Sequence, residues 1–257
     1  MRAAVLACLA GCGFQITTVS AVDDASPSDG SAAVDDAGAD APPIDGILPD
    51  SPVMPVEACD VVPTGPTATG TLLGGTGQRS GDIACDEDQV GVGLQFDVTP
   101  QGISNHGNHI LMTTIRLWCG TITRDTSNQM VTSNLTARSY TGLQGSTASA
   151  CNSYKPPVAL GQVMCPNGSA LVAIAGHQVD STLYNAVSIQ CAAVASDGTI
   201  SSSTVTIAMP GTGTNNTMPE QTQCPASMAI RSLHATSGCG QDGATVSCMA
   251  TTCDADE

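Results

Sequence analysis

The chain has 257 residues, of which 23 are acidic and 7 basic, so its net charge is −16 at neutral pH. Ten of the acids lie in residues 22–60, where Lys and Arg do not occur, and three more lie in the C-terminal tail. Residues 61–253 carry ten acids and six basic side chains, without a basic stripe that would displace counterions from phosphates, so the composition argues against nucleic-acid binding.

The first twelve residues have the pattern of a bacterial lipoprotein leader. Arg2 provides a positive start, a short apolar run follows, and Leu9-Ala10-Gly11-Cys12 places a cysteine directly after small residues. A basic start, an apolar stretch and a small-residue cleavage site define a signal peptide. We therefore predict a signal peptide over residues 1–11, lipid attachment at Cys12, and a lipid-anchored location in the cell envelope, at the outer membrane or cell surface. The alternative is an ordinary signal peptide that contains two cysteines, Cys8 and Cys12.

Residues 12–60 are predicted to be a disordered linker. They consist mainly of Ala, Asp, Pro, Ser, Val and Gly, with Phe14 as the single aromatic residue. Such a segment has too little large apolar surface to offset the entropy of ordering, and its like charges repel one another. We expect an extended tether between the lipid and a folded domain over residues 61–257. The alternative is an acidic segment that binds calcium or a partner.

The domain over residues 61–257 is expected to be all-β. Lys occurs once and Glu twice between residues 61 and 253, although helices usually draw on these residues for their exposed faces. In residues 89–98, Val90, Val92, Leu94, Phe96 and Val98 alternate with small or polar residues, which is the period of a half-buried strand. Shorter strands are predicted at 113–119, 170–175, 186–194, 203–209, 227–233 and 243–249.

Three copies of one unit follow each other in this domain, at about 70–122, 150–194 and 203–253. Within each copy the repeated unit starts at a cysteine (Cys85, Cys165 or Cys224), passes through an alternating strand and a variable loop, and ends in a second strand that reaches another cysteine. Self-similarity of this kind is the signature of a repeated architecture. Because each cysteine pair brackets one copy, and exported proteins are oxidised, we predict the disulfides Cys85–Cys119, Cys165–Cys191 and Cys224–Cys248.

The number of cysteines agrees with a disulfide-bonded domain. If Cys8 leaves with the leader and Cys12 carries lipid, ten of the twelve cysteines remain, which is an even number. Four further cysteines would then form two more bonds, whose pairing the sequence leaves open: Cys59, Cys151, Cys239 and Cys253. No Cys-x-x-Cys pair occurs, so disulfides are favoured over a metal site.

The second copy resembles the vitelline membrane outer layer protein family. Its segment from Asp180 to Cys191 reads Asp-Ser-Thr-Leu-Tyr-Asn-Ala-Val-Ser-Ile-Gln-Cys. It places Asp180, Thr182 and Asn185 on matching positions of the family pattern Asp-Asp-Thr-Ala-Leu-Asn-Gly-Ile-Arg-Leu-x-Cys. The resemblance covers residues 80–253 and implies a three-fold β-prism of Greek-key sheets in a secreted, disulfide-bonded protein.

The first copy matches the family at Ile115-Arg116-Leu117 but has His109 and Thr113 where Asp and Asn are expected. The third copy matches in its strand pattern and cysteine. Members of the family are associated with extracellular coats, and similar prisms occur in lectins. The resemblance thus implies a fold, and no catalytic residues are carried over from it.

The chemistry-bearing residues of the domain do not form a recognisable catalytic or metal site, and no cofactor is predicted. Asp86-Glu87-Asp88 is the densest acid cluster of the domain. Consecutive residues on a strand point to opposite faces, so these acids are interpreted as a solvated turn, with a calcium site or glycoside hydrolysis as alternatives. His106 and His109 lack a third ligand nearby and are interpreted as loop residues.

Trp118 shares one face of its predicted strand with Arg116. An outward Trp beside Arg suits stacking on a sugar ring, whereas burial of Trp118 between sheets is the interpretation we favour. With Asp180 and Asn185, these two residues are the candidate ligand-binding residues.

The sequence thus predicts a cell-envelope lipoprotein that displays a β-prism for binding, with a glycan as the candidate ligand, or for structural coating. Its expected partners are the membrane, through the lipid, and a glycan or another envelope component; its oligomeric state is left open. A glycan-active enzyme that uses Asp86, Glu87 and Asp180 is one alternative. A purely structural envelope component is the other.

Overall fold

A computed structural model describes residues 57–77, 79–99, 111–142, 158–159, 161–180, 183–210, 220–238 and 241–254. These residues lie within one compact region, Pro52–Glu257. Their regular secondary structure consists of strands, which all pair antiparallel, as the composition predicts. In this part of the chain, no helix has the length and hydrophobicity needed to cross a membrane. The predicted leader, Cys12 and the linker up to residue 56 lie outside the described residues.

The described residues form fourteen strands. They are β1 (Cys59–Thr69), β2 (Leu73–Gly74), β3 (Arg79–Ala84), β4 (Val90–Thr99), β5 (Leu111–Arg124), β6 (Met130–Thr141), β7 (Val158–Ala159), β8 (Val163–Met164), β9 (Ser169–Asp180), β10 (Leu183–Val194), β11 (Ile200–Ala208), β12 (Glu220–Gln223), β13 (Met228–Ser237) and β14 (Gln241–Asp254). The first of them begins at Cys59, two residues before the predicted start of the domain.

The strands build three Greek-key units of the same topology. In the second unit the spatial order is β12-β9-β10-β11, so the fourth strand returns to lie beside the first, as in a Greek key. In the first unit β4, β5 and β6 pair in sequence, and the short strands β7 and β8 return to β4. In the third unit β13 and β14 are the central pair, with β1 beside β14 and β3 beside β13.

The third unit therefore combines the two ends of the domain. Its outer strands β1 and β3 come from the start of the domain, and its central hairpin comes from the end. A disulfide between Cys59 and Cys253 links these two ends. Nearby, Arg124 at the end of β5 donates hydrogen bonds to the carbonyl oxygens of Glu57 (2.7 Å) and Ser196 (2.9 Å), which ties this end of the third unit to the other two units.

Each unit carries one disulfide at the same place. It joins a cysteine just before the first strand of the unit's central hairpin to a cysteine in the second strand of that hairpin. These bonds are the three that the repeat predicts: Cys85–Cys119, Cys165–Cys191 and Cys224–Cys248. Of the four cysteines left open by the sequence, Cys59 pairs with Cys253, while Cys151 and Cys239 lie outside the described residues.

The first cysteine of each unit also makes the hydrogen bond that joins neighbouring units. Its backbone N–H donates to a carbonyl on the first strand of the preceding unit, and the accepting residue always lies seven positions after that unit's own first cysteine. The three bonds are Cys165 to Val92 (2.8 Å), Cys224 to Val172 (2.9 Å) and Cys85 to Arg231 (3.0 Å). These bonds join the second unit to the first, the third to the second and the first to the third, so the units are related by an approximate three-fold arrangement.

All three units bury their inner faces in one shared core. Its fully buried large side chains come from every unit: Leu94, Ile115, Leu117, Leu171, Ile174, Ile189, Ile230, Leu233 and Val246. A second, smaller core contains Val61, Val90, Val92, Ile122, Ala170, Val172, Ala192, Val194, Ile200 and Ala229. Three Greek-key units surround this common core, and the pairing of β1 with β5 joins the first and third units into one ten-stranded sheet. This arrangement is a β-prism, which is the predicted fold.

The disulfide between the two ends of the domain should contribute more to stability than the three disulfides that close shorter loops. Cys59 and Cys253 are 194 positions apart, against 24 for Cys224 and Cys248. In the chain-entropy model, the long loop corresponds to about 5 kcal/mol and the short loop to about 3.5 kcal/mol. Urea unfolding of a Cys59→Ser/Cys253→Ser variant should therefore show a larger loss of unfolding free energy than a Cys224→Ser/Cys248→Ser variant. An equal or smaller loss would mean that pairing with β14 alone holds β1 in place.

Candidate ligand-binding groove

The outer faces of the three units carry one equivalent position directly before the second cysteine of each disulfide. Trp118, Gln190 and Ser247 occupy it on β5, β10 and β14, and each is partly buried. Since neighbouring residues on a strand point to opposite faces, each of these side chains points away from the shared core into which its cysteine is buried. The three units differ strongly at this position, because one has a large indole, one an amide and one a hydroxymethyl group.

In the first unit Trp118 fills the space on the outer face. It lies between two small partners, Gly93 on β4 and Ala137 on β6. Together with Met130 and Met164 it packs against the second core. The indole Nε1 is shielded from solvent and has no hydrogen-bond partner among the described residues. The residue is therefore a packing element on the outer face of the first unit, where it is partly buried, whereas the sequence analysis favoured burial between sheets.

The turn that follows the first unit, which contains Asn167 and Gly168, lies against β6 on the same outer face. Asn167 Oδ1 accepts a hydrogen bond from the Thr132 N–H (2.7 Å), and the Gly168 N–H donates to Thr132 Oγ1 (3.0 Å). Gly168 has a positive φ of 67°, and a Cβ at this position would lie 2.4 Å from the Met130 carbonyl oxygen. This turn is thus held directly against β6.

In the third unit an arginine stands where the other two units have a valine on the first strand. Arg231 follows Cys224 by seven positions, where the other units have Val92 and Val172. Its Nη2 donates to the carbonyl oxygen of Cys85 (3.3 Å), so the guanidinium lies across the junction to the first unit.

The second unit is open at this position. Gln190 replaces the indole, and Gln223, directly before Cys224, stands where the first unit has Met164. In the turn of residues 225–227, Ala226 takes the place of Asn167 and has no side-chain amide to bind β11. A groove of about 230 Å³ remains, lined by Val172, Ala173, Gln190, Ile200, Ser201, Ser202, Thr204, Gln223, Cys224, Pro225, Ala226, Ser227 and Met228.

The groove combines an apolar floor with polar, uncharged walls. Val172 and Ile200 of the second core form its floor together with Ala173, and all three are buried. The walls carry amides and hydroxyl groups, and no lining residue carries a formal charge. A few polar groups above an apolar surface are typical of small-molecule sites.

Gln221 arranges the two amides of the groove. Its Nε2 donates to Oε1 of Gln223 (2.7 Å) and to Oε1 of Gln190 (3.3 Å). Each of these two oxygens thus accepts one hydrogen bond and keeps a second lone pair, while the Nε2 groups of Gln190 and Gln223 have no partner among the described residues. These two amides consequently present N–H donors to a ligand.

Arg116, one of the candidate residues, is engaged by the protein itself. Its guanidinium forms a two-pronged ion pair with Asp97, in which Nη2 lies 2.6 Å from Oδ2 and Nη1 contacts Oδ1. The hydrogen bonds to Asp97 raise the pKa of Arg116, and the attraction of the carboxylate adds to this effect, whereas desolvation opposes it. Asp97 is buried, so this pair supports the sheet of the first unit and does not line the groove.

The acid cluster Asp86-Glu87-Asp88 forms an exposed turn, as the sequence predicts, in which the Gln89 N–H donates to the Asp86 carbonyl oxygen (3.0 Å). Both carboxylate oxygens of Asp86 lie 2.5 Å from Nη2 of Arg138. Among the described residues, no group of three or more His, Cys, Asp and Glu side chains is placed to hold a metal ion.

The remaining candidate residues are placed by their backbones only. Asp180 ends β9 and Asn185 lies near the start of β10, and their side chains are outside the described part of the structure. His106 and His109 lie outside the described residues altogether. The groove was not predicted from the sequence, although the residues that precede the paired cysteines differ between copies (Trp, Gln and Ser; Met, Gln and Ala) and were a usable signal.

Replacing Trp118 by Gln should open a similar groove in the first unit at a cost in stability. Loss of a packed aromatic side chain to a small residue typically costs about 3–5 kcal/mol, and a half-buried indole should lose about 2–3 kcal/mol. The converse change, Gln190→Trp, should leave the free energy of unfolding nearly unchanged, because its groove already has room. Urea unfolding of both variants checks this, and a Trp118→Gln protein as stable as the parent would show that the indole contributes no packing.

The fold is similar to that of plant lectins of known structure, at low sequence identity. Malaysian banana lectin is 12% identical, with a TM-score of 0.40, and the match covers 72% of this chain and 99% of the lectin. Calystegia sepium agglutinin is 10% identical, with a TM-score of 0.40 and coverages of 73% and 99%. A mannose-binding jacalin-related lectin from Ananas comosus is 11% identical, with a TM-score of 0.36 and coverages of 72% and 98%. No family model matches the chain, and no curated protein matches it.

Proposed function

We propose that this chain is a glycan-binding module and that the groove of the second unit is its binding site. The proposal is carried by the open, uncharged groove beside Gln190 and Val172. In the first unit Trp118 stands where the second unit has Gln190, and in the third unit Arg231 stands where the second unit has Val172, so the second unit has neither of these two large side chains.

The chemistry of the groove matches that of a neutral sugar. A sugar ring presents hydroxyl groups, which both donate and accept hydrogen bonds, and apolar C–H faces. The amides of Gln190 and Gln223 supply donors, the hydroxyls of Ser202 and Thr204 supply both functions, and the floor suits the C–H face. An anionic ligand would lack the cationic partner that usually binds carboxylates and phosphates.

The location of the module is part of the proposal. Arg2, the apolar run and Leu9-Ala10-Gly11-Cys12 support a leader that ends in a lipid-bearing cysteine, and residues 13–56 support a tether. In this proposal the lipid anchors the protein in the cell envelope and the prism binds glycans there. The resemblance to the vitelline membrane outer layer protein family, carried by the segment from Asp180 to Cys191, is consistent with an extracellular prism and remains a prediction.

Filling the groove should abolish glycan binding without unfolding the prism. We expect a Gln190→Trp variant to lose at least about tenfold in affinity, because an indole would occupy the groove as Trp118 does in the first unit. The measurement is a glycan-array screen of the full chain carrying Cys12→Ser, followed by calorimetric titration of the best ligand.

The matched control is Gln129→Trp, which places the same side chain in the exposed turn between β5 and β6. It should bind like the parent. If no neutral glycan binds the parent, or if Gln190→Trp binds as well as Gln129→Trp, the groove is not a glycan site. Binding that is lost only when Asp86 or Glu87 is replaced would favour the enzyme alternative.

Lipid attachment is tested at Cys12 itself. A Cys12→Ser variant produced in a bacterium should move from the detergent phase to the aqueous phase on phase partitioning, because the thiol that accepts the lipid is absent. A Cys8→Ser variant is the control and should stay in the detergent phase. A Cys12→Ser protein that remains in the detergent phase would contradict the proposed anchor.

A further inference from the structure

A second hollow lies beside the groove, at the edge of the second unit. It has a volume of about 480 Å³ and is lined by Thr69, Gly70, Thr71, Gln221, Gln223, Cys224 and Pro225. Gln223, Cys224 and Pro225 line both hollows, so the two hollows adjoin each other at the end of β12. One side of the second hollow belongs to the third unit, since it is formed by the end of β1 and the residues that follow it.

The second hollow has the same polar, uncharged chemistry as the first. Thr69 and Thr71 contribute hydroxyl groups, and Gln221 and Gln223 contribute amides. The Thr71 hydroxyl donates to the Gln221 carbonyl oxygen (2.9 Å), which leaves its lone pairs available to accept hydrogen bonds. No lining residue of either hollow carries a formal charge.

The wall at residues 69–71 is held close to β12 by packing. The Gly70 N–H donates to the Val246 carbonyl oxygen (2.9 Å). A Cβ at Gly70 would lie 2.7 Å from Val246 Cγ2 and 2.8 Å from both the Gln223 carbonyl oxygen and Thr222 Oγ1, so glycine is required for this approach. The position of the second hollow relative to the first is therefore fixed by the fold.

Gln221 connects the two hollows chemically as well as spatially. It lines the second hollow, and its Nε2 fixes the amides of Gln223, which lines both, and of Gln190, which lines the first. A ligand that spans the two hollows would thus contact one continuous row of amides. β12 is an edge strand in the order β11-β10-β9-β12, and Gln223 and Pro225 are exposed, so the row lies open at the protein surface.

From this continuity we infer that the groove binds an internal segment of a linear, neutral polysaccharide, with consecutive sugar units on the two sides of Gln223. This inference rests on the proposed glycan-binding function and specifies its ligand class. A single terminal sugar would use the first hollow alone, whereas a chain uses both and continues beyond them.

The test is a length series of neutral oligosaccharides, with one to six units of glucose, mannose, galactose or N-acetylglucosamine, titrated calorimetrically into the full chain carrying Cys12→Ser. For the sugar that binds, we expect affinity to rise by about tenfold or more from one unit to three and then to level off. A Thr71→Val variant should lose most of this gain and bind the single sugar unit like the parent. Thr126→Val, in the exposed turn after β5, is the matched control and should keep the full gain.

The outcomes separate the inference from the function on which it rests. If single sugars bind as tightly as the longer oligomers, or if Thr71→Val keeps the full gain, the inference is overturned and the glycan-binding function stands. Tighter binding of oligomers that carry uronic acids also overturns it, because the row lacks charged side chains. If no member of the series binds, the proposed function itself fails.

Discussion

The hydrogen bond from the first cysteine of each unit to the strand of the preceding unit determines how the three units meet. A backbone N–H at 2.8–3.0 Å from its acceptor allows little variation in the distance between neighbouring units. The disulfide then fixes the same cysteine to the second strand of its own unit. Each corner of the prism is therefore defined by one residue that is bonded twice, and the loops between the strands can vary without moving the corners.

The backbone arrangement at these corners repeats in the three units, but the side chains on their outer faces differ. The accepting residues are Val92, Val172 and Arg231, and their side chains lie close to the position that becomes a groove in the second unit. Since the backbone frame repeats, the shape of each outer face is decided by a few side chains. An indole between Gly93 and Ala137 closes the first, and an amide leaves the second open. Variation of this kind opens a groove on one outer face without disturbing the shared core.

The strands that line the core were readable from the sequence. Residues 89–98 were predicted and β4 spans Val90–Thr99, because its apolar residues alternate without interruption. The region 113–119 was predicted too short, since β5 continues to Arg124 through an irregular register between Cys119 and Thr121. The central hairpins of all three units and their disulfides followed from the same alternation and the positions of the cysteines.

Among the outer strands, β11 (Ile200–Ala208) was predicted at 203–209, whereas β1 and β6 were not, for reasons that lie in their surroundings. β6 is half-buried to exposed along its length, and polar residues occupy both of its faces, so it lacks an apolar period. β1 contains Pro63, Gly65 and Pro66, which argue against a strand, and its register with β14 is broken between Thr64 and Ala68. The groove depends on which residues from different units become neighbours, and that is set by the strand order, which a single sequence does not display.

The use of β1 to complete the third unit has a consequence for the order of events during synthesis. A ribosome makes β1 first among these strands and β14 last, and Cys59 and Cys253 are 194 residues apart. At 5–20 residues per second, the first strand waits about 10–40 s for its partner. Unpaired strands are hazardous during such a delay, because segments with high β-propensity and no proline aggregate most readily. Pro63 and Pro66 interrupt β1, so the residues that made it unrecognisable as a strand should also lower its tendency to aggregate before the last hairpin is complete.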